Sequence, residues 1–158
     1  MSTLRPRIDY PDFARQAPAV HSALRAMSKA VDDSGLEKSL TELVKLRASQ
    51  INGCAFCLQF HLNVLRKLGV EAPRLDLVAA WRDAGVFSAR EAAALEWTET
   101  LTLMAQRHAD DAAWQALRLH FSESEAMNLT VAIGTINQWN RIAVALRFAP
   151  PIAEGSAA

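Results

Sequence analysis

Glu42-Leu-Val-Lys-Leu-Arg-Ala-Ser-Gln-Ile-Asn-Gly-Cys54-Ala-Phe-Cys57-Leu-Gln-Phe-His61 is the most informative stretch of this 158-residue sequence. At about 100° per residue, a helix starting at Cys54 places Cys54, Cys57 and His61 within an arc of roughly 60°. Val64, Leu65 and Leu68 continue that side, so it faces the interior. The preceding helix runs from Leu36 to about Ile51, with Leu36, Leu40, Leu43 and Val44 on one face. Asn52 and Gly53 tolerate a left-handed backbone and can end it. If the chain reverses there, the two helices pack side by side and Glu42 returns toward the cysteines.

A thiol pair at a helix N-terminus sits where backbone N–H groups stabilise a thiolate. His61 lies one turn beyond Cys57, within reach as a proton donor or acceptor. Each residue also has a plainer reading. Cysteines are often buried as small apolar residues, and a lone His on an apolar face is usually a core histidine. Glu42 alone is most simply a surface partner of Lys38 or Lys45 at helical spacing. The C-x-x-C spacing at a predicted helix start favours redox chemistry over chance burial. Structural zinc is the competing use. It needs four protein ligands, no second Cys pair exists, and His21, His108 and His120 are scattered. Dinucleotide, Walker, nucleophile-elbow and zinc-protease signatures are missing.

Outward from this stretch the chain reads as six or seven helices with no convincing strand, an all-α domain. One helix is expected over 11–32 from Pro11, one from Cys54 to Leu68, and a shorter one from Pro73 to Gly85. Ser88-Ala-Arg-Glu91 fits a capping box for a helix through Gln106, and Asp110-Asp111 suits the start of the next. Ser122-Glu-Ser-Glu125 is a second capping box, opening a long apolar helix that Pro150-Pro151 stops near Phe148. The tail Glu154–Ala158 is expected to fray. No repeat or linker divides residues 1–158, so a single domain is the simplest organisation.

Hydrophobic residues make up 51%, too many for a disordered chain. Lys and Arg number 17, as do Asp and Glu, so the positive excess that nucleic-acid or anionic-membrane binding needs is missing. The polar start, Met1 to Tyr10, does not read as a signal peptide, and no run of 18 apolar residues spans a bilayer. A cytoplasmic location is expected, where thiols stay reduced and two cysteines point to catalysis or metal binding.

The run from Glu42 to His61 resembles the core of the AhpD-like alkylhydroperoxidases, within the carboxymuconolactone decarboxylase superfamily. The Glu, the Asn-Gly-Cys-x-x-Cys and the His four residues later match in spacing. Ser122 through Asn137, Trp139, Asn140 and Arg141 is similar to that superfamily's last helix. The resemblance implies an all-α fold, homo-oligomerisation and thiol peroxidase chemistry. By position, Cys57 would be the peroxidatic cysteine and Cys54 its resolving partner, with Glu42 and His61 as a proton relay. The partners implied are a peroxide and an external dithiol reductant, with no metal, flavin or haem. One position departs: a second His immediately before the second Cys is replaced here by Phe56. A disulfide reductase and a redox-sensing oligomer are the alternative readings.

The last helix also bears on assembly. From Ser122 to Phe148 it would be about 40 Å long, while a domain of this size is roughly 35 Å across. Met127, Leu129, Ile133, Ile136, Trp139, Ile142 and Leu146 offer more apolar surface than one neighbour usually covers. A trimer, or a hexamer built as a trimer of dimers, is expected unless the helix kinks near Gly134.

Overall fold

Proline placement divides the N-terminal part of the chain. The computed structural model describes residues 4–153; the tail expected to fray lies outside them. Pro11 occupies the first turn of α1 (Tyr10–Gln16), where its missing N–H is no loss, and Asp9 caps that helix. The single helix expected over 11–32 is two helices. Pro18 cannot supply the N–H that continuation would require, so the chain breaks at Ala17 and α2 (Pro18–Asp32) begins afresh.

Gly53 makes the turn that matters for the site. It takes φ of +64° between α3 (Lys38–Ile51) and α4 (Ala55–Lys67). That left-handed backbone is open to glycine at no steric cost. Cys54 is the N-cap of α4 rather than its first helical residue.

The helix expected from Pro73 to Gly85 is three short pieces: α5 (Ala72–Asp76), a 3₁₀ turn (Val78–Ala80) and α6 (Trp81–Ala84). Leu75 and Val78 are both buried, and a 3₁₀ turn brings residues three apart onto one side. The Ser88/Glu91 capping box opens α7 (Ala89–Thr102), which stops before the expected Gln106, and Arg107 folds back onto Glu96 at 2.7 Å. Asp110 caps α8 (Asp111–Arg118) through the Ala113 N–H. The Ser122/Glu125 box opens α9 (Glu123–Leu146). Nine α-helices and no strand lie among the described residues, more than six or seven because of these breaks.

α3 is the central helix. Leu40, Val44 and the apolar residues of α7 and α9 form one core cluster; Leu43 and Leu46 face Leu65, Leu75 and Leu95 in another. Each fully buried Leu or Ile contributes about 1.5–3 kcal/mol of transfer free energy, so α3 is fixed on nearly every side. Glu42 and Lys45 are buried on this same helix. The α9 helix runs unbroken through Gly134 for 24 residues, about 36 Å. Leu129, Ile133 and Ile136 are buried within the chain, whereas Met127, Val131 and Val144 remain exposed. Among the described residues no helix is long and apolar enough to cross a membrane.

Candidate functional site

The α3–α4 reversal brings Glu42 to His61. Glu42 is 2% exposed, so it is not the surface residue that its spacing to lysines suggested. The pairing itself is present: Oε1 accepts from Lys38 Nζ at 2.8 Å and from Lys45 Nζ at 2.9 Å. Oε2 lies 2.6 Å from His61 Nδ1. Burial pushes the Glu42 pKa up, but the His61 hydrogen bond and the two ammonium groups outweigh it, holding the carboxyl well below the usual range. An ionised carboxylate only accepts, so the proton between them belongs to His61 Nδ1. Burial lowers the pKa of His61 more than Glu42 raises it. The imidazole is therefore neutral, and Nε2 is left as a free base.

The cysteines form a hydrogen-bonded dithiol. Both are free thiols, and Cys54 Sγ caps α4 by accepting the Cys57 N–H at 3.3 Å. The Cys57 thiol also donates to Cys54, and with the Cys57 N–H it outweighs burial to bring Cys54 down to about 7. The same shared proton, together with burial, pushes the Cys57 thiol up. Cys54, although it lies beside the Gly53 break, is not the more open thiol. It is 1% exposed against 3% for Cys57, because its N-cap side chain turns inward against Ala48, Ile136 and Phe148.

A cavity of about 410 Å³ opens over this site, lined by Cys57, His61 and Glu42 but not by Cys54. Its apolar walls include Phe56, Phe60, Ile136 and Trp139. Tyr10 of α1 closes one side, its ring stacked on Phe56 at 5.3 Å and its hydroxyl 2.8 Å from His21 Nε2. Phe56, where the resemblance would place a second His, is thus part of an aromatic wall. Among the described residues no group of three or more His, Cys, Asp and Glu is gathered as a metal would need.

Sequence reasoning assigned no role to the polar net behind the cysteines. Asn140 Nδ2 donates to Ser49 Oγ at 3.0 Å, and Asn52 Nδ2 donates to Asn140 Oδ1 at 2.8 Å and Asn137 Oδ1 at 2.9 Å. The signal was available: Asn137 and Asn140 interrupt an apolar helix at a three-residue spacing, and buried amides are retained only where they are partnered. Tyr10 and Arg25 lay too far away in sequence to be linked to the site.

The profile of the carboxymuconolactone decarboxylase family matches residues 18–100, more than half of the chain. The chain belongs to this family. Among curated relatives of this family member, the uncharacterized protein YdfG of Bacillus subtilis (strain 168) is 34% identical over 140 residues, 89% of this chain and 93% of that one. A crystal structure from Agrobacterium tumefaciens is 42% identical with a TM-score of 0.88, covering 94% of this chain and all of the other. That protein is of unknown function and carries a provisional assignment as the antioxidant defence protein AhpD. The debrominase Bmp8 shares the fold at a TM-score of 0.76 and 18% identity, over 85% of this chain and 73% of its own. This carboxymuconolactone decarboxylase family member is accordingly AhpD-like in fold, and the fold serves enzymes of more than one chemistry.

Proposed function

We propose that the protein is a thiol peroxidase that reduces organic hydroperoxides or hydrogen peroxide, with Cys57 as the attacking residue. The observation that carries this reading is the cavity shared by Cys57 and a His61 whose Nδ1 is held by Glu42. A peroxide entering that cavity meets Cys57 and not Cys54. His61 Nε2 takes the Cys57 proton; the thiolate attacks the terminal oxygen, the O–O bond breaks, and the departing alkoxide receives that proton as an alcohol. Cys57 is now a sulfenic acid. Cys54, whose pKa in the reduced pair is lowered to about 7, attacks the Cys57 sulfur as its thiolate; hydroxide leaves, takes a proton and becomes water, and a disulfide remains. Two electrons from an external dithiol restore both thiols. This chemistry suits the cytoplasm, where dithiol donors are maintained.

The test is steady-state consumption of an organic peroxide with a regenerated dithiol donor, followed by two variants. Cys57→Ser should abolish consumption. Cys54→Ser should react once and accumulate sulfenic acid on Cys57, trapped chemically and located by peptide mass spectrometry. Sulfenic acid found on Cys54 of Cys57→Ser, with none on Cys57 of the reciprocal variant, would reverse the roles.

One observation favours a second reading, a disulfide reductase or redox-sensing oligomer. Cys54 is buried away from the cavity, so reductant reaches the disulfide only past the aromatic wall. A single stoichiometric oxidation without turnover, for every dithiol donor tried, supports the sensor.

A further inference from the structure

Among the described residues, one cation lining the cavity over Cys57 is without a partner. Arg25 and, three, four and seven residues after it, Ser28, Lys29 and Asp32 of α2 all line that cavity. They form one stripe along the helix, about 10 Å from Arg25 to Asp32. The charges along it are satisfied from one end only. Asp32 receives Lys38 through both oxygens, at 2.8 and 2.9 Å. Lys29 pairs outward with Asp33 at 2.6 Å. Lys45 and Lys38 share Glu42. Arg25 has no hydrogen-bond or ion-pair partner among the described residues, and every carboxylate lining the cavity is already engaged by other groups.

The position of Arg25 matters as much as its charge. It lies one turn beyond His21, whose ring meets both Tyr10 and Trp139 edge-on. Arg25 therefore stands on the aromatic side of the cavity, away from the Asp32–Lys38–Glu42 end. A volume of about 410 Å³ is far larger than hydrogen peroxide needs and falls in the range of cavities that enclose organic ligands. One unpaired guanidinium matches one negative charge, and its planar fork suits a carboxylate.

We infer that the cavity selects organic hydroperoxides that carry a carboxylate on an apolar body, with the carboxylate on Arg25 and the body against Phe56, Phe60 and Trp139. The peroxide end then reaches Cys57 and His61. This substrate class rests on the thiol peroxidase reading; the carboxylate site itself does not, and the two are tested separately.

Decanoate and its methyl ester serve as unreactive probes, with binding to the reduced wild-type chain followed by tryptophan fluorescence and calorimetry. Decanoate should bind at least about tenfold more tightly than the ester, and Arg25→Gln should remove that difference. Arg25 is exposed and outside the core, so the variant keeps its fold. A medium-chain carboxylate-bearing hydroperoxide should likewise exceed its methyl ester in kcat/KM, with Arg25→Gln equalising the two. Equal binding of decanoate and its ester, or a preference that survives Arg25→Gln, would overturn the carboxylate site. Arg25-dependent decanoate binding without turnover of any hydroperoxide would keep the site and remove the peroxidase reading.

Discussion

Glu42 shows how much one buried carboxylate organises. It holds His61 in the tautomer that leaves Nε2 free, and it neutralises two lysines, one of them buried. Glu42→Gln keeps the shape but loses the charge. Turnover with peroxide should fall by at least about tenfold, since an amide cannot stabilise the imidazolium that forms when His61 takes a proton. Stability should also fall, by roughly 1.5–3 kcal/mol in urea denaturation, the scale of a charged hydrogen bond. Asp32 keeps Lys38 and Lys45 partly compensated, so the variant stays folded. Unchanged turnover would take Glu42 out of the mechanism. The dithiol makes a second prediction at this scale. Thiolate absorbance of the reduced protein should titrate first with a midpoint of about 7, from Cys54. Cys57→Ala removes the donating thiol and should move that midpoint upward; an unmoved midpoint would show that the thiols do not share a proton.

The reversal between α3 and α4 is the element on which the site depends. Gly53 sits at φ +64°, and a Cβ there would meet nothing within 4 Å, so backbone strain alone decides the effect of substitution. Gly53→Ala should cost about 1–2 kcal/mol, measured as a lower denaturant midpoint with an unchanged slope. Activity should fall more than stability does, because Cys54 and its capping hydrogen bond lie next in the chain. Equal activity would mean that the turn relaxes without moving the thiols. Capping boxes at Ser88 and Ser122 were readable because side chain and backbone lie within four residues of each other. The break at Ala17 was readable too, from Pro18. The dissection of 73–85 was not, since it follows from Leu75 and Val78 reaching the same distant core.

At the scale of the molecule, acid should loosen the fold from a predictable pH downward. Glu42 and Glu99 have folded pKa values below their unfolded ones, despite burial, because His61 and lysines hold the first while Trp81, Arg82 and Arg47 hold the second. His61 is lowered as well, by burial. In all three the unfolded chain binds more protons, so stability rises with pH through these windows. It should decline as pH drops below the unfolded value of His, about 6.5, and decline more steeply below about 4.3 as the carboxyls protonate. Denaturation midpoints from pH 8 to 4 that rise toward acid would contradict this. Assembly is the other question at this scale. Met127, Val131 and Val144 stay exposed on α9, and we expect a trimer or hexamer that covers them. Light scattering that gives a stable 17.3 kDa species at micromolar concentration would reject it.

The all-α class, most helix starts and the motif Glu42…Cys54-x-x-Cys57…His61 were legible in the chain alone, because each rests on local spacing and on chemistry carried by neighbouring residues. That three of those residues could share one helix side followed from 100° per residue alone. The tertiary structure decided what spacing does not encode. It buried Glu42 under two lysines, turned Cys54 inward while Cys57 met the cavity, and brought Tyr10, Arg25 and Trp139 from three helices around one opening. Those outcomes depend on which helices pack together, and that is set by the summed burial of side chains far apart in the chain rather than by any run of them.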